Sequence, residues 1–277
     1  MNDQVNLNNG MNMPLIGFGL YRIDDQDTMD EAVRCAYDCG YRLFDTAQMY
    51  GNEVLLGQAL KRCGIPRDDV FVTTKIDTRN MTPAALRESF QLSLQRLQSD
   101  HADLLLIHWP GQSKNRLRDC WKAMSELCAE GKTRAIGLCN AVPHHLQWLE
   151  DMDIAPAVNQ IEVNLHNVQE NLSRLCAQKT IQVQAWAPLG RGDFSNALVQ
   201  QLAAKYDCTP AQIILRWHLQ RGIAVIPKSS HPERIRANIA IGKFSLSEEE
   251  IRQMNAQDAY KDTSHNPYTY DYEKAGD

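Results

Sequence analysis

Four side chains sit where their types and order could do chemistry together. An aspartate and a tyrosine share the run Asp45-Thr46-Ala47-Gln48-Met49-Tyr50-Gly51-Asn52-Glu53, a lysine closes Thr73-Thr74-Lys75, and a histidine opens His108-Trp109-Pro110. Each follows a short apolar run. A phenol with an unperturbed pKa near ~10 is a poor acid at neutral pH unless a cation stabilises its phenolate. Lys75 supplies that cation, and Asp45 would keep it charged and oriented. His108 could then hydrogen-bond a carbonyl oxygen that is about to receive first hydride and then a proton. The chemistry implied is carbonyl reduction. Taken singly, each residue has an ordinary structural use: Asp after a strand caps helices, Tyr and His fill cores, and a strand-end Lys is solvated. Their joint placement at three neighbouring strand ends is what argues for a site.

Later segments suggest a ligand. Gly137-Leu138-Cys139-Asn140 and Asn159-Gln160-Ile161-Glu162 bring two amides, Asn140 and Gln160, to strand ends, and each can both donate and accept, which suits a carboxamide. Trp186, with Leu189 after it, offers a flat indole for stacking on an aromatic ring, although a packed core Trp would look the same. Lys228-Ser229-Ser230-His231-Pro232-Glu233-Arg234, with Asn238 one turn on, gathers cations and hydroxyls at a helix start. That composition fits a phosphate.

The elements needed to position these residues are legible as apolar runs alternating with amphipathic stretches. Strands are expected at Leu15–Phe18, Arg42–Phe44, Val70–Thr74, Asp103–Ile107, Arg134–Gly137, Ala157–Gln160, Ile181–Ala185 and Ala224–Ile226. Helices are expected at Asp27–Cys39, Glu53–Cys63, Pro83–Leu97, Leu117–Glu130, Pro143–Asp151, Gln169–Ala177, Asn196–Lys205 and Pro210–Leu219. Thr82-Pro83 and Thr209-Pro210 read as helix starts, and Gly40, Gly64 and Gly131 as helix stops. Eight strands, each followed by a helix, with no GxGxxG after the first, favour a closed (β/α)₈ TIM barrel over doubly wound domains. Asn8-Asn9-Gly10 predicts a short β-hairpin plugging the N-terminal face of the barrel. The whole chain, 1–277, reads as one domain, with residues 258–277 as a tail over one end.

Composition narrows the function. A net charge of -5 disfavours nucleic-acid and anionic-membrane partners, and no apolar stretch reaches the ~18 residues of a membrane span. The polar start Met1-Asn2-Asp3-Gln4 does not resemble a signal peptide, so a cytoplasmic protein is expected, monomeric by default. The eight cysteines lack CxxC pairing and read as reduced, mostly buried thiols, and Cys35/Cys39 lack the further ligands a metal needs. A metal-dependent hydrolase would need more strand-end ligands than Asp45, His108 and Glu162, so no metal is expected.

From about Val5 to Asp258 the chain resembles the aldo-keto reductases. The resemblance rests on Asp45-Thr46-Ala47-x-x-Tyr50-Gly51-Asn52-Glu53, Lys75, Leu106-Ile107-His108-Trp109-Pro110 and Ile226-Pro227-Lys228-Ser229, in that order. It implies the (β/α)₈ fold, extended NADPH without a Rossmann motif, and reduction of aldehydes or ketones with Tyr50 as general acid among Asp45, Lys75 and His108. By the same resemblance Asn140 and Gln160 hold the nicotinamide carboxamide, and Trp186 stacks on its ring. Lys228, Ser229, Ser230, Arg234 and Asn238 grip the adenosine phosphate. The pattern is most similar to bacterial diketogluconate and methylglyoxal reductases, which points to small carbonyls, α-dicarbonyls or keto-sugars as substrates. Several positions depart from it: Cys139 replaces a common Ser, Ala237 a common Glu, Tyr21 a common Trp, and the tail after Tyr260 does not match. Tyr21, Trp109 and tail aromatics such as Tyr268 are expected around the substrate, in a pocket left open by the short connection Gly111–Arg116. A binding or regulatory protein with little turnover is the alternative, against which the intact tetrad counts.

Overall fold

The computed structural model describes residues 4–272. Two strands, β1 (Gln4–Asn6) and β2 (Asn12–Pro14), pair antiparallel, with Val5 opposite Met13. Leu7 and Met13 are buried among Leu43, Phe71, Leu104 and Ala157. The Nδ2 atoms of Asn8 and Asn9 donate to the carbonyls of Pro156 (2.9 Å) and Arg134 (3.0 Å), where two barrel strands begin. The hairpin therefore plugs the N-terminal face, as the sequence suggests.

Eight parallel strands follow: β3 (Phe18–Gly19), β4 (Leu43–Asp45), β5 (Phe71–Ile76), β6 (Ala102–Ile107), β7 (Thr133–Cys139), β8 (Val158–Glu162), β9 (Gln182–Trp186) and β10 (Ala224–Val225). Each pairs with the next, and a parallel bridge from Ile16 to Val225 joins last to first in a (β/α)₈ barrel. The first strand is displaced from expectation because its residues serve two neighbours. Leu15 and Gly17 bond to Val225, while only Phe18 and Gly19 pair with β4. This seam leaves no room for side chains: a Cβ on Gly17 would lie 2.3 Å from Leu43 Cδ2, and one on Gly19 2.8 Å from the Ile226 carbonyl.

The helices are α1 (Gln26–Asp38), α2 (Glu53–Arg62), α3 (Pro83–Leu97), α4 (Lys114–Ala129), α5 (Pro143–Trp148), α6 (Glu170–Gln178), α7 (Ala197–Lys205), α8 (Pro210–Gln220), α9 (Pro232–Ile239) and α10 (Glu248–Asn255). Thr82 and Thr209 cap α3 and α8 through their hydroxyls, with proline next in line. Gly40, Gly64 and Gly131 take the positive φ expected of helix stops. Helix α5 ends earlier than Asp151. The Arg118 guanidinium takes the Trp148 carbonyl at 2.8 Å, and the chain beyond closes in three-residue turns.

Strand alternation decides what faces the barrel axis. Leu105, Ile107, Ile136, Leu138, Ile161 and Val183 point outward and pack on the helices. Leu43, Phe71, Leu104, Leu106, Ala135 and Val158 fill the interior nearer the plug. Two or four residues further along the same faces come Asp45, Lys75, His108, Cys139, Gln160, Gln184 and Trp186. Apolar side chains thus seal one end of the barrel, and polar ones converge at the C-terminal end.

Candidate active site

Lys75 is the centre of the polar cluster. Its ammonium, fully buried, reaches Asp45 Oδ1 at 2.6 Å, the Thr46 carbonyl at 2.9 Å and the Tyr50 hydroxyl at 3.3 Å. Three acceptors match its three donors. Burial works to lower the Lys75 pKa, but the Asp45 carboxylate outweighs it and holds the amine above its ordinary value, hence charged. Burial pushes the Tyr50 phenol up while Lys75 pulls it down, and the net shift is upward. Tyr50 is therefore protonated at neutral pH, beside a cation that would stabilise its phenolate.

The loop carrying Tyr50 is anchored from several sides. Gln48 Oε1 accepts the Asp77 N–H at 2.8 Å, and its Nε2 donates to Ser93 at 3.0 Å. Asn52, 1% exposed, donates to the Leu20 and Ile23 carbonyls and accepts from the Thr46 hydroxyl. That ties the loop after β3, which carries Tyr21, to the loop after β4. Glu53, also buried, accepts from Thr74 Oγ1 at 2.6 Å.

His108 meets the edge of the Tyr50 ring at 5.6 Å between centroids. Burial, then the nearby Lys75 charge, drives its pKa down to about 3, so the imidazole is neutral. Its buried Nδ1 has no hydrogen-bond partner among the described residues. Asn140, with φ near 60°, donates Nδ2 to the His108 carbonyl at 3.1 Å and accepts from Trp186 Nε1 at 2.9 Å. Gln160 donates Nε2 to Asp45 Oδ2 at 2.7 Å. The sequence-assigned tetrad and the Asn140, Gln160 and Trp186 group thus form one connected network.

Comparison with known proteins follows the same lines. Residues 15–259 match the aldo/keto reductase family. The chain is 39% identical to the glyoxal reductase of Bacillus subtilis over 269 residues, which are 96% of this chain and 97% of that one. The crystal structure of an aldo-keto reductase from a Medee basin deep-sea metagenome superposes with a TM-score of 0.93 at 38% identity, covering 97% of this chain and 100% of the other. A Bombyx mori aldo-keto reductase in complex with NADP matches with a TM-score of 0.88 at 30% identity, covering 95% and 94%. The chain belongs to the aldo/keto reductase family.

In this aldo/keto reductase the residues read as a phosphate grip lie together where β10 runs into α9. Lys228 and Arg234 are exposed, Ser230 is half-buried, and Ser229 is buried with Oγ accepting the His231 N–H at 3.1 Å. No side chain caps α9. Asn238 is 5% exposed. Leu189 is half-buried on the loop after β9.

At the mouth the expected open pocket is not what the structure has. Tyr21 lies 5.0 Å from the Tyr50 ring, as a pocket wall should. Trp109, however, is only 7% exposed, packed under His265 and Tyr270 of the tail at 5.8 and 4.8 Å. Tyr268 lies instead near His144 and is 55% exposed. The tail is held at Thr263, whose N–H and hydroxyl donate to the buried Glu162 carboxylate and whose carbonyl accepts from Arg191 at 2.8 Å. Tyr272 fits over Gly111, where a Cβ would come within 2.4 Å of its ring. Only a narrow cleft remains between Asn140, Trp186 and tail residues Asp262, His265 and Pro267. The tail is described as far as Tyr272, and 273–277 lie outside the described residues.

Sequence reading missed Gln184, Thr263 and Arg191. Period-two alternation back from Trp186 would have placed Gln184 on the interior face, whereas the Thr263 contacts carry no sequence signal. The eight cysteines are free thiols, with Cys35, Cys120, Cys139 and Cys176 buried. Among the described residues no helix is long and apolar enough to cross a membrane, and no three His, Cys, Asp or Glu side chains are grouped to hold a metal.

Proposed function

We propose that this protein is an NADPH-dependent carbonyl reductase acting on small aldehydes and ketones, with Tyr50 as proton donor. The observation that carries this reading is the buried contact of the protonated Tyr50 phenol with the Lys75 ammonium, itself paired with Asp45. The cofactor's part is to supply the hydride that adds to the carbonyl carbon. Tyr50 would give its proton to the carbonyl oxygen, and Lys75 would stabilise the phenolate until solvent restores the proton. His108 is neutral, and so can orient the carbonyl oxygen by hydrogen bonding without competing as an acid.

The chain's own residues suit an extended dinucleotide. The free acceptor face of Gln160 and the edge of Asn140 would take the carboxamide, with Trp186 stacked on the ring and Leu189 beside it. Asn238, together with Lys228, Ser229, Ser230 and Arg234, would hold the adenosine phosphate. Tyr21 and Trp109 would wall the substrate. The relatives' names, glyoxal reductase among them, support compact α-dicarbonyls as the first substrates to try. We take residues 1–277 as one domain working as a cytoplasmic monomer.

The test is absorbance-monitored oxidation of NADPH against glyoxal, methylglyoxal and keto-sugars. Turnover is expected with at least one of these, and none across the panel would defeat the reading. Arg234→Ala should weaken NADPH by about tenfold or more and NADH little, since a charge-assisted bond to phosphate contributes about 1.5–3 kcal/mol. Equal losses for both cofactors would place the phosphate grip elsewhere.

A further inference from the structure

Beneath the tetrad lies a second polar layer that the reaction itself does not require. Gln160 and Gln184, on neighbouring strands β8 and β9, are 1% and 0% exposed. Gln160 Nε2 lies 2.7 Å from Asp45 Oδ2 and 2.7 Å from Gln184 Oε1. The orientation of a side-chain amide follows from its hydrogen-bond network, and here the network has one solution. Asp45, paired with Lys75, is a carboxylate and only accepts, so Gln160 must turn its NH₂ toward it. Both hydrogens of that NH₂ are then spent, one on Asp45 and one on Gln184. Gln184 must present its oxygen, because the reverse would set N–H against N–H.

Two consequences follow. Gln160 Oε1 is left with only the weak Cys139 thiol, 3.7 Å away, as a donor among the described residues. That is the polarity needed to accept from the NH₂ of a carboxamide. The second consequence is a cost: Gln184 Nε2 is buried with no hydrogen-bond partner among the described residues. Stranding a buried donor is unfavourable, and Gln184 Oε1 offsets part of that by accepting a Gln160 hydrogen that an apolar side chain would leave unpaired.

We propose that Gln184 is a positioning residue, fixing the carboxamide of Gln160 so that its oxygen meets the nicotinamide amide while its NH₂ stays on Asp45. This rests on the reading that Gln160 holds the nicotinamide. Through Gln160, Gln184 would act on the nicotinamide end of the cofactor and leave the phosphate end untouched.

That asymmetry supplies the test. Gln184→Met removes the acceptor, and binding is measured for NADPH and for 2′,5′-ADP, which carries the phosphate but no nicotinamide. In Gln184→Met, NADPH affinity should fall about five- to tenfold, the scale of one neutral hydrogen bond, with 2′,5′-ADP unchanged. Gln184→Glu, which buries a neutral acid with a carbonyl acceptor, should stay within about threefold of wild type for both ligands. Losses of equal size for NADPH and 2′,5′-ADP, or no loss for either, overturn the proposal, as does a Glu variant with the nicotinamide-specific defect. If Gln184→Met does not fold, Gln184→Leu, which also lacks the acceptor, is measured on the same criteria. Wild-type protein that binds no NADPH would instead end the reductase reading on which the proposal stands.

Discussion

The floor of the site and its mouth are built on different principles. At the floor Asp45, Lys75, Gln160 and Gln184 are at most 1% exposed and linked by contacts of 2.6–2.7 Å. Their positions follow from strand register and alternation. The mouth is closed by an irregular tail held through Thr263 on Glu162 and Arg191 and by aromatic packing over Trp109. Proton chemistry needs fixed geometry, whereas substrate choice depends on a surface that can be rebuilt without touching the barrel. The family match ends at residue 259, just before the tail.

The largest separation between the two regions should come from Lys75→Met. It strands the Asp45 carboxylate in the floor, and removing one member of a buried pair costs about 3–5 kcal/mol. Denaturant unfolding should show a loss of that size along with near-total loss of turnover. A variant as stable as the parent would mean that the floor tolerates rearrangement.

Acid sharpens the comparison, because each region holds one neutral buried histidine. Burial lowers both His108, in the floor, and His145, under the mouth, to about 3 from an ordinary 6.5. His145 accepts the Val142 N–H at Nδ1 and meets the Gly111 carbonyl at 2.9 Å through Nε2, which suits the neutral ring. The unfolded chain binds protons near pH 6.5 that the folded chain refuses. Stability should thus be full above pH 6.5 and fall as pH drops toward 3, by up to about 1.4 kcal/mol per pH unit for each ring. Substituting either histidine by Gln should flatten the profile of unfolding free energy against pH. An unchanged profile in both variants would contradict the assignment of neutral rings.

The smallest effect should come from Thr263→Val. It removes one hydroxyl donor to the Glu162 carboxylate, a bond of the type contributing about 1.5–3 kcal/mol. The tail should become cleavable by limited proteolysis between residues 256 and 272 while the Lys75–Asp45 floor keeps its stability. Uniform destabilisation of the barrel would show that mouth and floor are not separable.

The same contrast explains what was legible in the sequence. All eight barrel strands show as apolar runs, and the residues just past them converge as Asp45, Tyr50, Lys75 and His108 do, because register is a local property repeated around the barrel. The first strand shifted because Leu15–Gly19 serve two neighbours, a closure no single window contains. Helix α9 shows in the sequence only as a start near Arg234 and α10 not at all, each being only eight residues with few apolar positions. The tail was read as a loop over one end, but its grip on Glu162 joins residues 101 positions apart with no periodicity to betray it. The pocket predicted as open was judged from Gly111–Arg116 alone, when the segment that covers Trp109 arrives from the other end of the chain.

If Tyr50 delivers the proton while cofactor binding is handled elsewhere, the two functions should separate in a Tyr50 variant. Comparing Tyr50→Phe with wild type, by NADPH fluorescence titration and by turnover on the best carbonyl substrate, tests it directly. NADPH affinity should be unchanged and turnover should fall by about 10²–10⁴, the scale of general acid catalysis. Wild-type turnover by the Phe variant would contradict it.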